Sequence, residues 1–346
     1  MKAAPVPRVP VPPAPEPPVL IAKSGLHLAA DKVDVAAAKP VTRSRQAVAD
    51  DLDRMPIVDG REDPAWYEAV MRSIYSDARQ DSQLADGLKA AYLDNDIPAA
   101  FERFRQSRFT AAISRILKKF GYDFGSAIVE IGCGRGHLSR ALYGLGYHQL
   151  TAMDPNPNAQ TGTGYLASLA DHNIRIINDL SSWRHISGQF DAIVSSATVH
   201  HWQHIPAVAL DARRTLKEGG HWFAMREFFA NSPRELVRRL REHLLAGRYG
   251  TYEWPYPASA YVELIQSVGY ELVAVIPHFY NDNEFIDFSF EKPADLDPVR
   301  LSQIVDADLP GTVEAFWNEV AENRRNSSLC PLYTWPQVMI FERVPI

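Results

Sequence analysis

The sequence predicts an α/β domain built on a mainly parallel β-sheet and preceded by a helical extension. Short apolar runs alternate with segments of helical pattern between about residue 125 and residue 280. A turn with three glycines, at 132–136, follows the first run, and carboxylates end the next two runs, at Asp154 and Asp179. Strands separated by helices of about a dozen residues are typical of βαβ units, which form parallel sheets with right-handed crossovers.

Composition and charge narrow the class of protein. The 346 residues are 46% apolar and 23% charged, which is ordinary for a soluble globular protein. A formal net charge of −6 disfavours a generally basic nucleic-acid binder. The two cysteines, Cys133 and Cys330, predict no disulfide framework. The sequence has no apolar run of about 18 residues, which predicts no transmembrane segment. Together with the absence of a signal peptide pattern, this leads us to expect a cytoplasmic protein.

The N-terminal part divides into two segments of different pattern. Residues 1–60 are predicted to be a disordered tail and linker, because prolines crowd 1–20 and favour an extended, solvated state. The alternative is that the proline-rich stretch is a ligand for a partner domain. Residues 61–124 are predicted to be a helical extension, with the clearest apolar spacing over 101–120 and Gly121 as its stop.

Strands and helices then follow in order. Apolar runs predict strands at 127–131, 150–153, 174–177, 191–195, 221–225, 271–276 and 337–344. Helical spacing predicts helices at 205–217, which Gly219-Gly220 stops, and at 233–246, 259–268 and 312–324. The helix from residue 233 is rich in arginine and has an apolar stripe, which suits a membrane surface or a phosphorylated substrate. A packed helix with a solvated face is the alternative.

The glycine turn is the most informative stretch. Glycines at 132, 134 and 136 have no Cβ, so the backbone can turn tightly and approach a ligand closely. The spacing is G-x-G-x-G, whereas the dinucleotide fingerprint G-x-G-x-x-G requires a glycine where this chain has His137. The turn opens a helix, whose amide groups and dipole favour an anionic group.

Polar residues follow the later strands, at the edge where open α/β sheets bind ligands. The Asp154 carboxylate can accept hydrogen bonds from the two hydroxyls of a ribose. Asp179 can accept one from an adenine amino group, with the Leu180 amide as a companion donor. Ser195 and Ser196 end the fourth strand. The alternatives are that Asp154 only makes a turn, that Asp179 only caps a helix and that the serines are merely small.

The order of these motifs resembles that of class I S-adenosylmethionine (SAM)-dependent methyltransferases, particularly the group that acts on small molecules. The resemblance rests on the turn at 130–136, the acidic ends of strands two and three, and the segments 190–194 and 216–220. It covers residues 125–280, which we interpret as the cofactor-binding core, and extends to the last strand.

The resemblance implies a Rossmann-like, seven-stranded sheet with helices on both faces. In that family the last strand is antiparallel and lies beside the fifth. Residues 336–346 are then the final strand of the core, and 281–335 are an insertion or cap before it. An independent C-terminal lobe is the alternative.

The resemblance also implies SAM as the cofactor. The implied binding residues lie in the glycine turn and at the ends of strands two, three and four: Glu130, Gly132, Cys133, Gly134, Gly136, Asp154, Pro155, Asn156, Asp179, Leu180, Ser195 and Ser196.

Histidines just past strand four are the candidate catalytic residues. His200 and His201 lie where many small-molecule methyltransferases have an acceptor-facing histidine, and an imidazole with a pKa of about 6.5 suits a general base, with His200 as the preferred candidate. The alternative is that they merely begin the next helix. No carboxylate or cysteine at zinc-ligand spacing accompanies them or His204, so no metal is expected. Residues 226–229, at the end of strand five, are expected to face the acceptor.

The expected function is SAM-dependent methyl transfer to a small-molecule, glycan or lipid-linked acceptor, with O-methylation favoured. The motifs typical of enzymes that methylate nucleic acids or protein arginine do not occur in the sequence. The alternative is a non-catalytic module in which the same fold serves as a scaffold or binding subunit.

Overall fold

The computed structural model describes residues 64–243, 245–251, 253–277, 309–323 and 333–345. The predicted tail at 1–60 lies outside the described residues, and so does most of the predicted insertion at 281–335. The strands are β1 (Ile128–Ile131), β2 (Leu150–Met153), β3 (Arg175–Ile177), β4 (Phe190–Ser196), β5 (Leu216–Met225), β6 (Tyr270–Pro277) and β7 (Pro336–Arg343).

These strands form one seven-stranded sheet in the order β3-β2-β1-β4-β5-β7-β6. Strands β1 to β5 pair in parallel, and β7 runs antiparallel between β5 and β6. The predicted fold class, including the antiparallel last strand beside the fifth, is therefore confirmed. The chain moves outward from β1 to β3 and then crosses back to β4, so the strand order reverses between β1 and β4. A crevice forms at the carboxyl ends of the strands at such a reversal.

Helices cover both faces of the sheet. They are α1 (Pro64–Ala78), α2 (Ser82–Ala90), α3 (Ile97–Arg105), α4 (Arg108–Lys119), α5 (His137–Gly144), α6 (Gly164–Ser168), α7 (Leu180–Arg184), α8 (Ile205–Thr215), α9 (Pro233–Glu242), α10 (Ala246–Tyr249), α11 (Ala258–Gln266) and α12 (Leu309–Asn323). One apolar core packs α3, α4 and α5 against the sheet, and a second packs α8, α11 and α12 against the opposite face. Alternate strand residues enter the two cores, because successive side chains of a strand point to opposite faces.

The helix predicted over 101–120 is two helices. Ser107 adopts an extended backbone and its hydroxyl accepts a hydrogen bond from the backbone N–H of Thr110 at 3.2 Å, which makes it the N-cap of α4. Apolar spacing continues across the break, from Phe104 to Phe109, and both side chains are buried. The periodicity alone therefore did not reveal that the backbone hydrogen bonds are interrupted there.

The start of β5 differs from the sequence prediction, and the packing of α12 adds to it. Strand β5 begins at Leu216, so the glycine pair at 219–220 lies inside a strand instead of separating a helix from one. Helix α12 packs on β6, with Phe316 fully buried and the Thr312 hydroxyl accepting a 2.8 Å hydrogen bond from the Val275 backbone N–H.

The arginine-rich helix α9 packs against the rest of the chain with part of its basic face. Arg239 is fully buried, and its guanidinium lies 4.8 Å from the centroid of the Trp335 ring. Arg234, Arg238 and Arg241 are exposed. Among the described residues, no helix is both long enough and apolar enough to cross a lipid bilayer.

Candidate functional site

A cavity of about 560 Å³ lies at the carboxyl ends of β1, β2, β4 and β5. This volume is within the range of about 300–1,000 Å³ that is typical of small-molecule sites. The glycine turn after β1 and the loop after β2 line one side, and the loops after β4 and β5 line the other. Residues of α1 and α2 and the segment that follows them complete the wall.

The glycine turn holds a backbone conformation that other residues adopt only with strain. Gly132 has a φ of +66°, and a Cβ added there would lie 2.1 Å from Cγ2 of Thr198. Gly134 has a φ of +53°, but the space beside its Cα is open. Gly132 therefore packs against the protein, whereas Gly134 leaves room for a ligand to approach the backbone.

Asp154 joins the turn to the end of β2. Its Oδ2 accepts a 2.8 Å hydrogen bond from the Gly134 N–H, and its Oδ1 accepts a 2.9 Å bond from the Asn156 N–H. Burial raises the pKa of Asp154, and these two backbone hydrogen bonds oppose the rise. Each carboxylate oxygen has a second lone pair, so Asp154 can still accept hydrogen bonds from a ligand in the cavity.

Glu130 lies beneath the turn and is almost fully buried. Its Oε2 accepts hydrogen bonds from the backbone N–H of Ser139 at 2.8 Å and from the Ser139 hydroxyl at 2.5 Å. Burial raises the pKa of Glu130 to about 7 despite these bonds. The side chain thus connects β1 to the first turn of α5 while it also lines the cavity.

The structure brings most of the predicted cofactor residues to one cavity. Its lining includes Glu130, Gly132, Cys133, Gly134, Asp154, Pro155, Asn156 and Ser196.

Four of the predicted cofactor residues are placed differently. Gly136 approaches Leu166, whose Cδ2 would lie 2.5 Å from an added Cβ. Ser195 is fully buried, and its hydroxyl accepts a 2.9 Å hydrogen bond from Nε1 of Trp222. Asp179 is exposed at the start of α7. Its carboxylate accepts hydrogen bonds from the Ser182 backbone N–H at 3.2 Å and from the Ser182 hydroxyl at 2.8 Å, as a helix cap does. Leu180 begins α7, and its side chain lies outside the described part of the chain.

Arg135 is a functional candidate that the sequence did not single out. Its side chain is buried, and its Nε donates a 2.7 Å hydrogen bond to the Gln160 carbonyl. Nη1 donates to the carbonyls of Tyr92 and Asp94 at 3.2 and 2.8 Å, and Nη2 donates to the Tyr75 hydroxyl. One side chain of the glycine turn therefore holds the helical extension against the cavity. An arginine between glycines offers no sequence signal for this role.

A histidine–glutamate cluster lies on the side of the cavity that the loops after β4 and β5 line, and is formed by His200, His201, Glu227, His243 and Glu253. The ring of His200 lies between two buried carboxylates. Its Nδ1 is 2.7 Å from Oε2 of Glu227, and its Nε2 is 3.1 Å from Oε2 of Glu253. Glu227 also accepts backbone hydrogen bonds from His200 and Thr198, at 3.2 and 3.3 Å.

Burial and charge act in opposite directions on the pKa values of this cluster. Burial lowers the pKa of His200, but hydrogen bonds to Glu227 and Glu253 outweigh it and raise the pKa to about 10. Burial raises the pKa of Glu253, but the neighbouring imidazoles outweigh it and lower the pKa to about 2. Both ring nitrogens of His200 are engaged with carboxylates. A role as proton acceptor therefore requires one of these two contacts to open.

The other two imidazoles also approach Glu253. Nε2 of His201 lies 3.6 Å from Oε2 of Glu253, and the His201 side chain is 34% exposed. Nε2 of His243 lies 4.0 Å from the same oxygen. His204 is exposed at the start of α8 and does not line the cavity.

The sequence predicted that the segment after β5 faces the acceptor. Arg226, Glu227, Phe228 and Phe229 all line the cavity. Glu253 has no sequence signal, because it follows a stretch of mixed composition and lies far along the chain from the histidines. Ala197 and Arg226, just after β4 and β5, have φ values of +52° and +55°. Such strain in residues other than glycine is concentrated at functional sites.

Comparison with known proteins identifies one family. Residues 101–275, half of the chain, match the model of a family described as a methyltransferase domain. No curated protein matches the chain in sequence.

Three solved structures illustrate the proteins that the chain resembles. The 1,6-didemethyltoxoflavin-N1-methyltransferase of Burkholderia thailandensis is 13% identical, with 82% of this chain and 91% of that one covered and a TM-score of 0.42. A putative methyltransferase of Bacillus halodurans is 10% identical over 67% and 99%, with a TM-score of 0.41. The complex of the Haloferax volcanii Trm112 activator with a putative methyltransferase gives 12% identity over 71% and 98%, with a TM-score of 0.41. Similarities this distant carry no information on the substrate.

Proposed function

Because the chain belongs to the methyltransferase domain family, we propose that it transfers a methyl group from SAM to an oxygen of a small organic acceptor. The acceptor is a free small molecule, a glycan or a lipid-linked compound. One observation carries the proposal: a single cavity is lined by the glycine turn and Asp154 on one side and by the histidine–glutamate cluster on the other.

The residues on the cofactor side fit SAM. The open space beside Gly134 admits a ligand to the backbone, and the N-terminus of α5 next to the turn favours a carboxylate. Asp154 is held by two backbone N–H groups and retains lone pairs for the ribose hydroxyls. When bound, SAM supplies a methyl group that its sulfonium charge already activates. The protein then has to align the acceptor with that group and exclude water.

The acceptor side offers polar groups on an aromatic wall. His201 is the more accessible of the two candidate histidines, since its side chain is 34% exposed and that of His200 only 6%. We therefore place His201 next to the acceptor and treat His200, between its two carboxylates, as the residue that holds the cluster together. Phe228 and Phe229 line the cavity beside the cluster and suit a flat or apolar acceptor.

The size of the cavity favours a small acceptor. Its volume of about 560 Å³ has to contain the cofactor as well as the reacting part of the acceptor. Tyr67, Tyr92 and Leu93 of the helical extension form part of the wall, which limits access from that side. A glycan or lipid-linked acceptor would insert only its reacting end.

The proposal is tested by binding and by transfer. We expect isothermal titration calorimetry to detect SAM and S-adenosylhomocysteine binding, and labelled SAM to methylate a component of an extract of the source cells. His201→Gln should keep the affinity for SAM but lower turnover about 10²-fold, the cost of a misplaced reactant. His204→Gln is the matched control, because its ring is exposed outside the cavity.

Two outcomes would contradict this proposal. Absence of heat with both SAM and S-adenosylhomocysteine would exclude the cofactor role of the cavity. Binding of SAM without transfer to any component of the extract would favour the alternative of a non-catalytic binding subunit.

A further inference from the structure

We propose that His200, His201 and Glu253 form a binding site for a divalent transition-metal ion, with Zn²⁺ as the best fit. Nδ1 or Nε2 of each histidine and a carboxylate oxygen of the glutamate all lie within 4.8 Å of one another. His200 and Glu253 are buried, and His201 is partly exposed. All three residues line the large cavity.

The distances suit a tetrahedral ion. Zinc–ligand bonds of about 2.0–2.1 Å at the tetrahedral angle place two ligand atoms roughly 3.3 Å apart. Oε2 of Glu253 lies 3.1 Å from Nε2 of His200 and 3.6 Å from Nε2 of His201, on either side of that value. Small adjustments of the side chains would therefore suffice to bind the ion.

The contact between His200 and Glu227 sets the tautomer that would bind a metal once the ion displaces the proton on Nε2. Its Nδ1 lies 2.7 Å from Oε2 of Glu227, and in the neutral ring the Nδ1–H donates a hydrogen bond to that carboxylate. This leaves the lone pair of Nε2 directed at Glu253 and the space between the ligands. A carboxylate behind a metal-binding histidine is a recurrent arrangement, because it fixes the tautomer and raises the basicity of the ligand.

His243 approaches the same carboxylate but has the opposite tautomer. Its Nδ1 accepts backbone hydrogen bonds from Leu245 at 3.3 Å and Ala246 at 3.1 Å. In the neutral ring the proton is then on Nε2, which lies 4.0 Å from Oε2 of Glu253. We therefore do not count His243 as a ligand, since its Nε2 carries the proton, and the site has three protein ligands.

Charge gives a second reason for a divalent ion. Glu227 and Glu253 are both buried and both within hydrogen-bond distance of a single imidazole. Two buried carboxylates are expensive unless positive charge compensates them. An ion of charge +2 bound through neutral imidazoles would balance both carboxylates at once.

Three protein ligands leave a fourth position open toward the cavity, as in catalytic zinc sites. This last step rests on the proposed function: the open position would hold the acceptor oxygen. A metal-bound hydroxyl loses its proton to water more easily. The oxygen then forms a bond to the methyl carbon while the sulfur–carbon bond breaks and its electron pair remains on sulfur.

Metal binding is measured directly on the full-length protein, without SAM or an acceptor. After treatment with a chelator, calorimetry with Zn²⁺ should show one site, and Co²⁺ should give the visible absorption of a tetrahedral complex. Fe²⁺ under anaerobic conditions distinguishes the iron-binding form of a two-histidine, one-carboxylate site. Mg²⁺ should not bind, because it prefers oxygen ligands.

The loss of Zn²⁺ affinity in each variant should depend on the place of the changed residue in the site. His201→Gln and Glu253→Gln should weaken Zn²⁺ binding more than about 100-fold, and Glu227→Gln by about 10–100-fold, as is typical when the partner of a ligand is changed. His204→Gln should keep the wild-type affinity, because His204 is exposed and does not line the cavity. Circular dichroism confirms that each variant is folded, and His201→Gln is the safest because its side chain is partly exposed.

The proposal is overturned if the folded wild-type protein binds neither Zn²⁺, Co²⁺ nor Fe²⁺. It is also overturned if His201→Gln and Glu253→Gln bind Zn²⁺ as tightly as the wild type. Neither result affects SAM binding, and a failure to bind SAM leaves the metal measurement intact, so the two proposals fail independently.

Discussion

The side of the cavity that we assign to the cofactor (the cofactor side) and the side that we assign to the acceptor (the acceptor side) are built in different ways. The cofactor side is mostly backbone: a turn held at positive φ at Gly132 and Gly134 and bonded through its N–H groups to Asp154 and the carbonyl of Met153. The acceptor side is made of side chains from separate segments that meet around Glu253. A backbone site depends on which residues follow one another. A side-chain site depends on which loops the fold brings together.

The largest expected effect is on SAM binding and comes from a substitution in the glycine turn on the cofactor side. Gly132→Ala should abolish detectable SAM binding. It should also lower the free energy of unfolding by about 1–3 kcal/mol through the contact with Thr198, and by a similar amount through backbone strain. The added Cβ would lie 2.1 Å from Cγ2 of Thr198. Calorimetry with S-adenosylhomocysteine and thermal denaturation measure the two effects.

Two further glycines separate strain from ligand contact. Gly134 and Gly188 have φ values of +53° and +56°, and both have open space beside Cα. Gly188 does not line the cavity. Gly134→Ala and Gly188→Ala should therefore cost similar stability, while only the former weakens SAM binding. Equal affinity in the two variants would show that the ligand does not approach the turn.

An intermediate effect distinguishes Asp154 from Asp179, both of which the sequence placed in the predicted cofactor site. Asp154→Ala should weaken SAM binding by about 1–3 kcal/mol, the cost of leaving buried hydroxyls unpaired. Asp179→Ala should leave the affinity unchanged, because Asp179 is exposed and its carboxylate caps α7. Calorimetry on both variants gives the comparison, and a larger loss with Asp179→Ala would refute our assignment of the ribose-binding strand.

The smallest expected effect is on the pH dependence of stability and concerns His221 of β5, which does not line the cavity. Burial lowers the pKa of His221 to about 4, whereas the unfolded chain has a histidine pKa of about 6.5. The unfolded state therefore binds more protons between these values, and the stability that the neutral ring contributes above about pH 6.5 is lost as the pH falls toward 4. Nδ1 of His221 lies 2.5 Å from the Tyr122 hydroxyl.

Replacing that histidine should flatten this part of the pH profile. His221→Gln should show a smaller fall of the thermal midpoint between about pH 6.5 and pH 4 than the wild type, with SAM affinity unchanged at neutral pH. Differential scanning fluorimetry across this range measures the difference. Parallel profiles for the two proteins would contradict the assignment.

The fold class could be predicted from the sequence because the strands and the glycine turn are local sequence patterns. The family resemblance of the glycine turn and the strand ends implied a seven-stranded sheet with an antiparallel last strand beside the fifth. Helix α4 was merged with α3 because the Ser107 cap interrupts hydrogen bonds without interrupting the apolar spacing. The two adjacent histidines could be singled out from the sequence because they lie in the loop just after β4.

The acceptor side could be predicted only in part. Glu227 directly follows β5, so its place at the cavity was expected, but its pairing with His200 depends on the contact between two loops. Glu253 lies in a segment with no periodic pattern, and only the packing of that segment brings it to the imidazoles. The sequence therefore predicted no metal, since the third ligand of the site we propose is distant along the chain.

The bonds that Arg135 makes have a consequence for how the molecule responds to occupancy. Its guanidinium is bonded to carbonyl groups at 92–94 and at Gln160. Motion of the turn and motion of the segment between α2 and α3 are thereby coupled through one rigid planar group. Any ligand that immobilises the turn should therefore also slow amide hydrogen exchange in the segment between α2 and α3. Hydrogen exchange there would report whether the pocket is occupied, although its glycine turn lies some forty residues further along the chain.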